Sequence, residues 1–287
     1  MPQAKIGVIG GTGLYDIEGL TDIEEVDIST PFGKPSDRII VGKLSGVGVA
    51  FLPRHGRGHR IMPTEVPSRA NIYALKSLGV ESIIAINSVG SLKEEIKRGD
   101  LVIPGQLIDR TKSRVSTFFG DGIVAHISFA EPFCPSMRQL LYKTAIEAGA
   151  TAHPGGTYVV MEGPAFSTRA ESQLHRSWGA DVIGMTALPE AKLAREAEIC
   201  YAIVACATDY DAWHETEAAV GVEIILEAMR RQEELCEQII RLSVPRIGGR
   251  RDCDCPTALQ GAIVTPPEAI PPRQKKKLDL LIGKYIK

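Results

Sequence analysis

A single α/β domain built on a largely buried sheet is predicted by three features of this sequence. Short apolar runs alternate with amphipathic helical stretches, glycine-rich segments follow several of those runs, and neither a linker nor an internal repeat interrupts residues 1–243. The first run, 5–9, reads as a strand. Runs 38–41, 47–52 and 82–86 are strand-like as well, short and rich in Val, Ile and Leu. Between them, 67–78 has helical apolar spacing and opens on Pro67, which the first turn of a helix tolerates. A short strand is expected at 101–103, a helix at 136–148 and a strand at 157–161. Helix 169–178, strand 181–184, helix 188–198 and strand 199–207 continue the alternation, and 215–242 reads as one long amphipathic helix.

Composition narrows the function classes. The 287 residues are 44% hydrophobic, enough for a sizeable core, and a formal net charge of -2 gives no broad attraction for nucleic acid. No apolar run reaches the roughly 18–20 residues that span a bilayer. The amino terminus enters its first strand without the charged start, apolar core and small-residue cleavage site of a signal peptide, so a cytoplasmic location is expected. Residues 244–287 are a compositionally distinct C-terminal extension. Pro266, Pro267, Pro271 and Pro272 are expected to exclude regular structure around them, with a short basic helix at 273–287. Its Lys275-Lys276-Lys277 run reads either as a contact for an anionic partner or as a solvated face.

Six cysteines, at 134, 200, 206, 236, 253 and 255, are too few in this length for a secreted disulfide scaffold. Cys200, Cys206 and Cys236 sit in apolar or helical patterns and read as packed thiols. Cys253-Asp254-Cys255 lacks the second pair a zinc site needs, so no metal is expected. A redox-active pair and a pair of simple thiols both stay open.

The chemistry collects in loops after strands. Gly10-Gly11-Thr12-Gly13-Leu14 brings backbone N–H groups and the Thr12 hydroxyl together, yet matches neither a dinucleotide fingerprint nor a Walker loop. Arg54-His55-Gly56-Arg57-Gly58-His59-Arg60 is densely cationic, and the Arg54 fork and a His55 N–H suit a phosphate. The two glycines make a helix improbable there, so the spacing of His55 and His59 is not read as a metal site. Asn87-Ser88-Val89-Gly90-Ser91 adds small donors. Phe166, after Glu162-Gly163-Pro164, reads either as core or as a platform for a flat ring. In Ala207-Thr208-Asp209-Tyr210-Asp211, two carboxylates follow a buried strand and can share a face. One reading is a helix-capping pair; the other is a desolvated acid with a raised pKa, able to donate a proton.

In order and spacing these segments resemble the trimeric nucleoside phosphorylases, most closely the methylthioadenosine phosphorylase branch. The matching residues include Gly-Gly-Thr-Gly-Leu at 10–14, Pro-Arg-His-Gly-Arg at 53–57, Ala-Glu-Pro-Phe-Cys at 130–134 and Glu-Gly-Pro at 162–164. Trp-Gly-Ala-Asp-Val-Ile at 178–183, Met-Thr at 185–186 and Ala-Thr-Asp-Tyr-Asp at 207–211 complete the set. The resemblance implies a three-layer α/β fold with a central mixed, partly barrel-like sheet, assembled as trimers or dimers of trimers. It implies reversible phosphorolysis of methylthioadenosine, with inorganic phosphate as co-substrate and no cofactor. A broader purine nucleoside phosphorylase acting on adenosine, inosine or guanosine is the alternative.

By the same resemblance Thr12, Arg54, His55, Asn87, Ser88 and Thr186 would hold phosphate. Met185 would lie under the ribose, Phe166 and Ser167 would meet the purine, and Asp209 would protonate purine N7 while Asp211 accepts from the 6-amino group. A carboxylate accepts from an amino group and repels a carbonyl oxygen, which favours adenine; two neighbouring acids should share a raised apparent pKa. Val222, Ile225 and Leu226 form an apolar stripe that would meet the methylthio group, though core packing explains such a stripe equally well. His126 would be inserted near the 5′ position of a neighbouring subunit. Archaeal relatives with a similar Cys-x-Cys tail imply a Cys134–Cys200 disulfide and a Cys253/Cys255 redox couple.

Overall fold

The computed structural model describes residues 2–11, 17–214, 222–247 and 251–286, with the backbone alone for 223–231. The chain runs β1 (Ile6–Gly10), β2 (Leu20–Val26), β3 (Ile39–Leu44), β4 (Val47–Pro53), α1 (Ser68–Ser77), β5 (Ser82–Ser91), β6 (Leu101–Ile103) and β7 (Gln106–Arg110). It continues through α2 (Pro135–Glu147), β8 (Ala152–Pro154), β9 (Thr157–Met161), α3 (Arg169–Ser177), β10 (Val182–Gly184), α4 (Ala187–Glu196), β11 (Cys200–Tyr210), α5 (Val222–Ile247) and α6 (Pro272–Ile282). The predicted elements are all present within a few residues of their expected ends, apart from 215–221, which lie outside the described residues. Three strands escaped the sequence reading. β2 is largely exposed, β7 is short and polar, and β8 is three residues ending in proline, so none shows an apolar run.

Period-two alternation in the buried strands sets the layers. In β11, Tyr201, Ile203 and Ala205 join one core cluster, while Cys200, Ala202, Val204 and Cys206 join the other. Helices α1 and α4 cover the first face, and α2 and α5 cover the second. β5 and β11 are buried on both faces and therefore read as unbroken apolar runs.

The sheet is mixed and branches at β5. One arm runs β2-β3-β4-β1-β5 and turns into β10-β9-β7; the other leaves β5 through β11 to β6 and β8. Among the described residues the pairings do not close into a ring. β1 lies parallel to the first half of β5 and β11 parallel to its whole length, whereas β10 is antiparallel to its end, with Ile183 opposite Gly90. This reversal brings the carboxyl end of β10 back toward the middle of β5, where the carboxyl end of β4 also arrives by way of β1. Strand ends from both arms thus meet at one place.

The extension departs from expectation. Pro272 does not exclude regular structure: it opens α6, where the missing N–H is no loss, and Pro267–Ala269 forms a single 3₁₀ turn. Leu259, Ala262, Ile270, Leu278, Leu281 and Ile282 join the core cluster of the α1/α4 face. Among the described residues, no helix is long and apolar enough to cross a membrane.

Candidate active site

Strand β11 runs on through Asp209 to Tyr210, three residues beyond its expected end, and a bulge decides where the acids go. Ala207 lies opposite Val89 and Asp209 opposite Gly90, leaving Thr208 as the extra residue. Thr208 Oγ1 donates to Asp209 Oδ1 (2.6 Å) and the Asp211 N–H donates to Ser91 O (3.1 Å). The Trp213 indole N–H donates to the same carbonyl (2.8 Å), which pins the chain beyond the strand to the end of β5. Both acids lean over Gly90: a Cβ there would sit 3.1 Å from Asp209 Oδ2 and 3.3 Å from Asp211 Cβ. Glycine is what lets the pair lie against the sheet.

Both carboxylates are buried, at 7% and 5% exposure, and neither caps a helix among the described residues. Burial pushes Asp209 up to about 6; the Thr208 hydroxyl opposes that rise and the Asp211 charge adds to it. Among the described residues, Asp211 Oδ2 is buried without a hydrogen-bond partner. A buried acceptor of this kind costs stability unless something donates to it.

The cationic run is tied into the fold by carboxylates. Arg54 is 4% exposed and its fork is turned on Glu190, with Nε to Oε1 at 2.5 Å and Nη2 to Oε2 at 3.2 Å. Its Nη1 donates to Ile86 O (2.9 Å), and Nη2 also reaches Asn87 Oδ1 (3.3 Å). The guanidinium is thus anchored by Glu190 and Ile86 and meets the site beside Asn87. Asn87 in turn donates to Thr186 Oγ1 (2.6 Å), so Arg54, Asn87 and Thr186 form one chain of hydrogen bonds from β4 to α4. Arg57 pairs with Glu25, and Arg60 lies 3.8 Å from Asp37. Every arginine of the cationic run has a carboxylate from elsewhere in the fold.

His55 is held by protein as well. Its Nδ1–H donates to Ile61 O (2.7 Å), and burial, helped by the Arg54 charge, lowers it to about 4. The ring is neutral near pH 7 and its Nε2 offers a lone pair, so it accepts a proton donor where a donor was expected. Ser88 is half-buried on β5, opposite Cys206. Ser167 is buried, with Oγ 3.9 Å from Met161 Sδ, and Phe166 is 40% exposed.

Three contributors escaped the sequence reading. Glu190 lies among Ala187, Leu188, Ala191, Leu193 and Ala194, all buried, and an acid in such a run signals a cation to be neutralised. Arg114 is buried and donates to the carbonyls of Leu188 (2.6 Å), Glu162 (2.5 Å) and Met185, and to Glu162 Oε1 (3.2 Å). It thereby fixes the Met185-Thr186 turn against the Glu162-Gly163-Pro164 loop; nothing in its sequence surroundings announces this. Tyr158 is fully buried, its hydroxyl beside Thr186 and Asn87 and in the space a Cβ on Gly184 would need. The glycine preceding Met185-Thr186 is the one signal that could have shown it.

Thr12 lies outside the described residues, as do the side chains of Ile225 and Leu226, while Val222 is 62% exposed at the start of α5. His126 is exposed, and its N–H donates to Ala262 O (2.9 Å) in the extension. All six cysteines are free thiols, so the expected Cys134–Cys200 bond is not formed.

These features have counterparts in known proteins. The chain is 57% identical over 285 residues to the S-methyl-5′-thioadenosine phosphorylase of Geobacter sulfurreducens, spanning 99% of this chain and 100% of that one. The enzyme of the same name from Koribacter versatilis is 54% identical, across 99% and 97% of the two chains. A methylthioadenosine phosphorylase crystal structure from an antarctic soil metagenomic library superposes with a TM-score of 0.94 at 49% identity, covering 98% and 99%. An adenosine/methylthioadenosine phosphorylase mutant from Schistosoma mansoni, solved with methylthioadenosine, gives 0.80 at 39%, covering 86% and 93%. Residues 5–244, which carry both the acid pair and the Arg54–Asn87–Thr186 chain, match the corresponding family model, and the chain belongs to the phosphorylase superfamily.

Proposed function

We propose that this protein catalyses the reversible phosphorolysis of S-methyl-5′-thioadenosine, releasing adenine and 5-methylthioribose 1-phosphate. The observation that carries the reading is Asp209, a buried carboxyl held up to about 6 beside an Asp211 oxygen that has no partner among the described residues. Phosphate attacks C1′ from the face opposite the base, and the sugar passes through an oxocarbenium-like state stabilised by the adjacent anion. Asp209 delivers its proton to purine N7 as the glycosidic bond breaks. Asp211 Oδ2 accepts from the 6-amino group, which satisfies the buried acceptor. Thr186, Asn87 and Ser88, together with Thr12, hold phosphate. Arg54 braces Asn87 and completes the phosphate grip, and His55 Nε2 accepts a hydrogen bond from the P–OH of hydrogen phosphate. Met185 and Phe166 flank ribose and base, with Ser167 at the base edge, and Val222, Ile225 and Leu226 meet the methylthio group.

Phosphate is a co-substrate, and we assign the reaction no cofactor. We further propose a cytoplasmic enzyme assembled as a trimer or dimer of trimers, in which the exposed His126 completes a neighbouring site. The Schistosoma mansoni relative, described as an adenosine/methylthioadenosine phosphorylase, favours adenosine as a second substrate. Adenine release from methylthioadenosine, with and without phosphate and beside adenosine and inosine, tests the reading. Strong phosphate-dependent release with inosine inert is the expected result. Comparable rates on inosine would overturn the roles of Asp209 and Asp211, and phosphate-independent release would replace phosphorolysis by hydrolysis.

A further inference from the structure

No second closely spaced cysteine pair accompanies Cys253 and Cys255 in the sequence; folding supplies one. Cys134 immediately precedes α2, and its N–H donates to Tyr201 O (2.9 Å), which fixes it beside the start of β11. Cys200 opens β11 with its own N–H on Glu81 O (2.9 Å). The extension is led to the same place by Arg251, which donates to Glu81 O (3.2 Å) and Glu198 O (3.0 Å). Ser136 Oγ adds a bond to Asp252 O (3.1 Å). Cys134 and Cys200 are thus held by backbone bonds of their own, and the segment carrying Cys253 and Cys255 by Arg251 and Ser136, before any sulfur chemistry is considered.

The four Sγ atoms of Cys134, Cys200, Cys253 and Cys255 all lie within 4.8 Å of one another, with Cys200 and Cys253 at 3.4 Å. Three of the residues are buried and Cys253 is half-buried. A zinc ion with Zn–S bonds of about 2.3 Å needs sulfur–sulfur edges of roughly 3.8 Å in a regular tetrahedron. The observed spread brackets that value, and side-chain rotation alone adjusts it. Thiols are weak donors and weak acceptors, so four facing one another gain little as a hydrogen-bonded group.

We propose that Cys134, Cys200, Cys253 and Cys255 form a structural zinc site that clips the C-terminal extension onto the domain. Four protein ligands close the coordination sphere, which marks the site as structural rather than catalytic. On binding, Zn²⁺ takes four thiolates and four protons pass to solvent; nothing is oxidised or reduced. The assembly carries a net charge of minus two, and the positive amino end of α2, directly behind Cys134, partly offsets it. The clip reaches further than the sulfurs. The segment it anchors bonds to 124–126: Val264 N–H donates to Val124 O (2.9 Å), and Ala262 O accepts the His126 N–H. Zinc would therefore set the position of the loop that carries His126.

The test is metal and thiol content of the full chain, purified with neither chelator nor added reductant. One zinc per chain is expected, with all six cysteines titrating as thiols once the protein is unfolded in chelator. Cys253→Ser should lose stoichiometric zinc and Cys134→Ser likewise, while Cys236→Ala, outside the cluster, keeps it. Chelation should lower the melting temperature of the parent protein but not of Cys253→Ser. Should Cys134→Ser fail to fold, the half-buried Cys253→Ser still decides the matter. Metal-free protein with four thiols missing would replace the site by two disulfides. Metal-free protein with all thiols present, or zinc retained in Cys253→Ser, would overturn it as well.

Discussion

Replacing Asp209 by Asn should yield a protein that is more stable at neutral pH and nearly inactive. The ordinary aspartate value of 3.8 is pushed up to about 6 in the folded chain. That gap of about two pH units corresponds to about 3 kcal/mol of differential interaction. The sign follows from proton binding. Between the two values the unfolded chain has released the proton and the folded chain still holds it, so stability falls as pH rises through about 6. The loss is complete above that. Asn keeps an oxygen for the Thr208 hydroxyl, 2.6 Å from Oδ1 in the parent, and carries no ionisation cost. Denaturant melts of both proteins at about pH 4 and about pH 8 isolate the effect, because packing differences cancel between the two conditions. The stability difference should move in favour of the variant by most of the ~3 kcal/mol, or about 5 °C in melting temperature. Turnover should fall by roughly 10²–10⁴, the usual contribution of a general acid. A variant whose stability difference is the same at both pH values would refute the ionisation argument. One with near-parental turnover would remove Asp209 as the proton donor.

The same raised acid predicts an alkaline limb in kcat/KM for the nucleoside, falling about tenfold per pH unit above about 6 at saturating phosphate; a profile flat to about pH 8 would contradict it. Glu190→Ala leaves the Arg54 guanidinium buried without its carboxylate, and unfolding measurements should show a loss of about 3–5 kcal/mol. A loss under about 1 kcal/mol would mean that water or another group replaces the partner. Arg114→Ala releases the carbonyls of Leu188, Glu162 and Met185, so KM for the nucleoside should rise about tenfold or more with weaker phosphate dependence. Unchanged KM would show that the Met185 turn holds itself.

How far the sequence went depends on the distance over which each feature is specified. The buried strands β5 and β11 were readable because every residue contributes to an apolar run, and Asp209 and Asp211 were readable because they lie at the end of one. β2 was hidden because its residues face water. The bulge at Thr208 was also hidden, since a bulge is a property of two paired strands. The run from Arg54 to Arg60 showed its charge but not its partners: Glu25, Asp37 and Glu190 come from other segments, and only folding brings them near. The cysteines fail for the same reason. Cys253 and Cys255 advertise themselves by spacing, whereas Cys134 and Cys200 meet them only through the sheet and the amino end of α2.

The neutralised arginines bear on how an anion would come and go. A pocket ringed by unpaired guanidinium groups would project a field beyond the Debye length of ~8 Å and draw phosphate in from solution. Here Glu190, Glu25 and Asp37 cancel that field at its source, leaving local dipoles and short hydrogen bonds to do the holding. Capture becomes a matter of contact rather than steering, nearly indifferent to ionic strength. A sugar phosphate made in such a pocket is not trapped by surplus positive charge, so the equilibrium can be drawn in either direction by whichever small molecule is in excess.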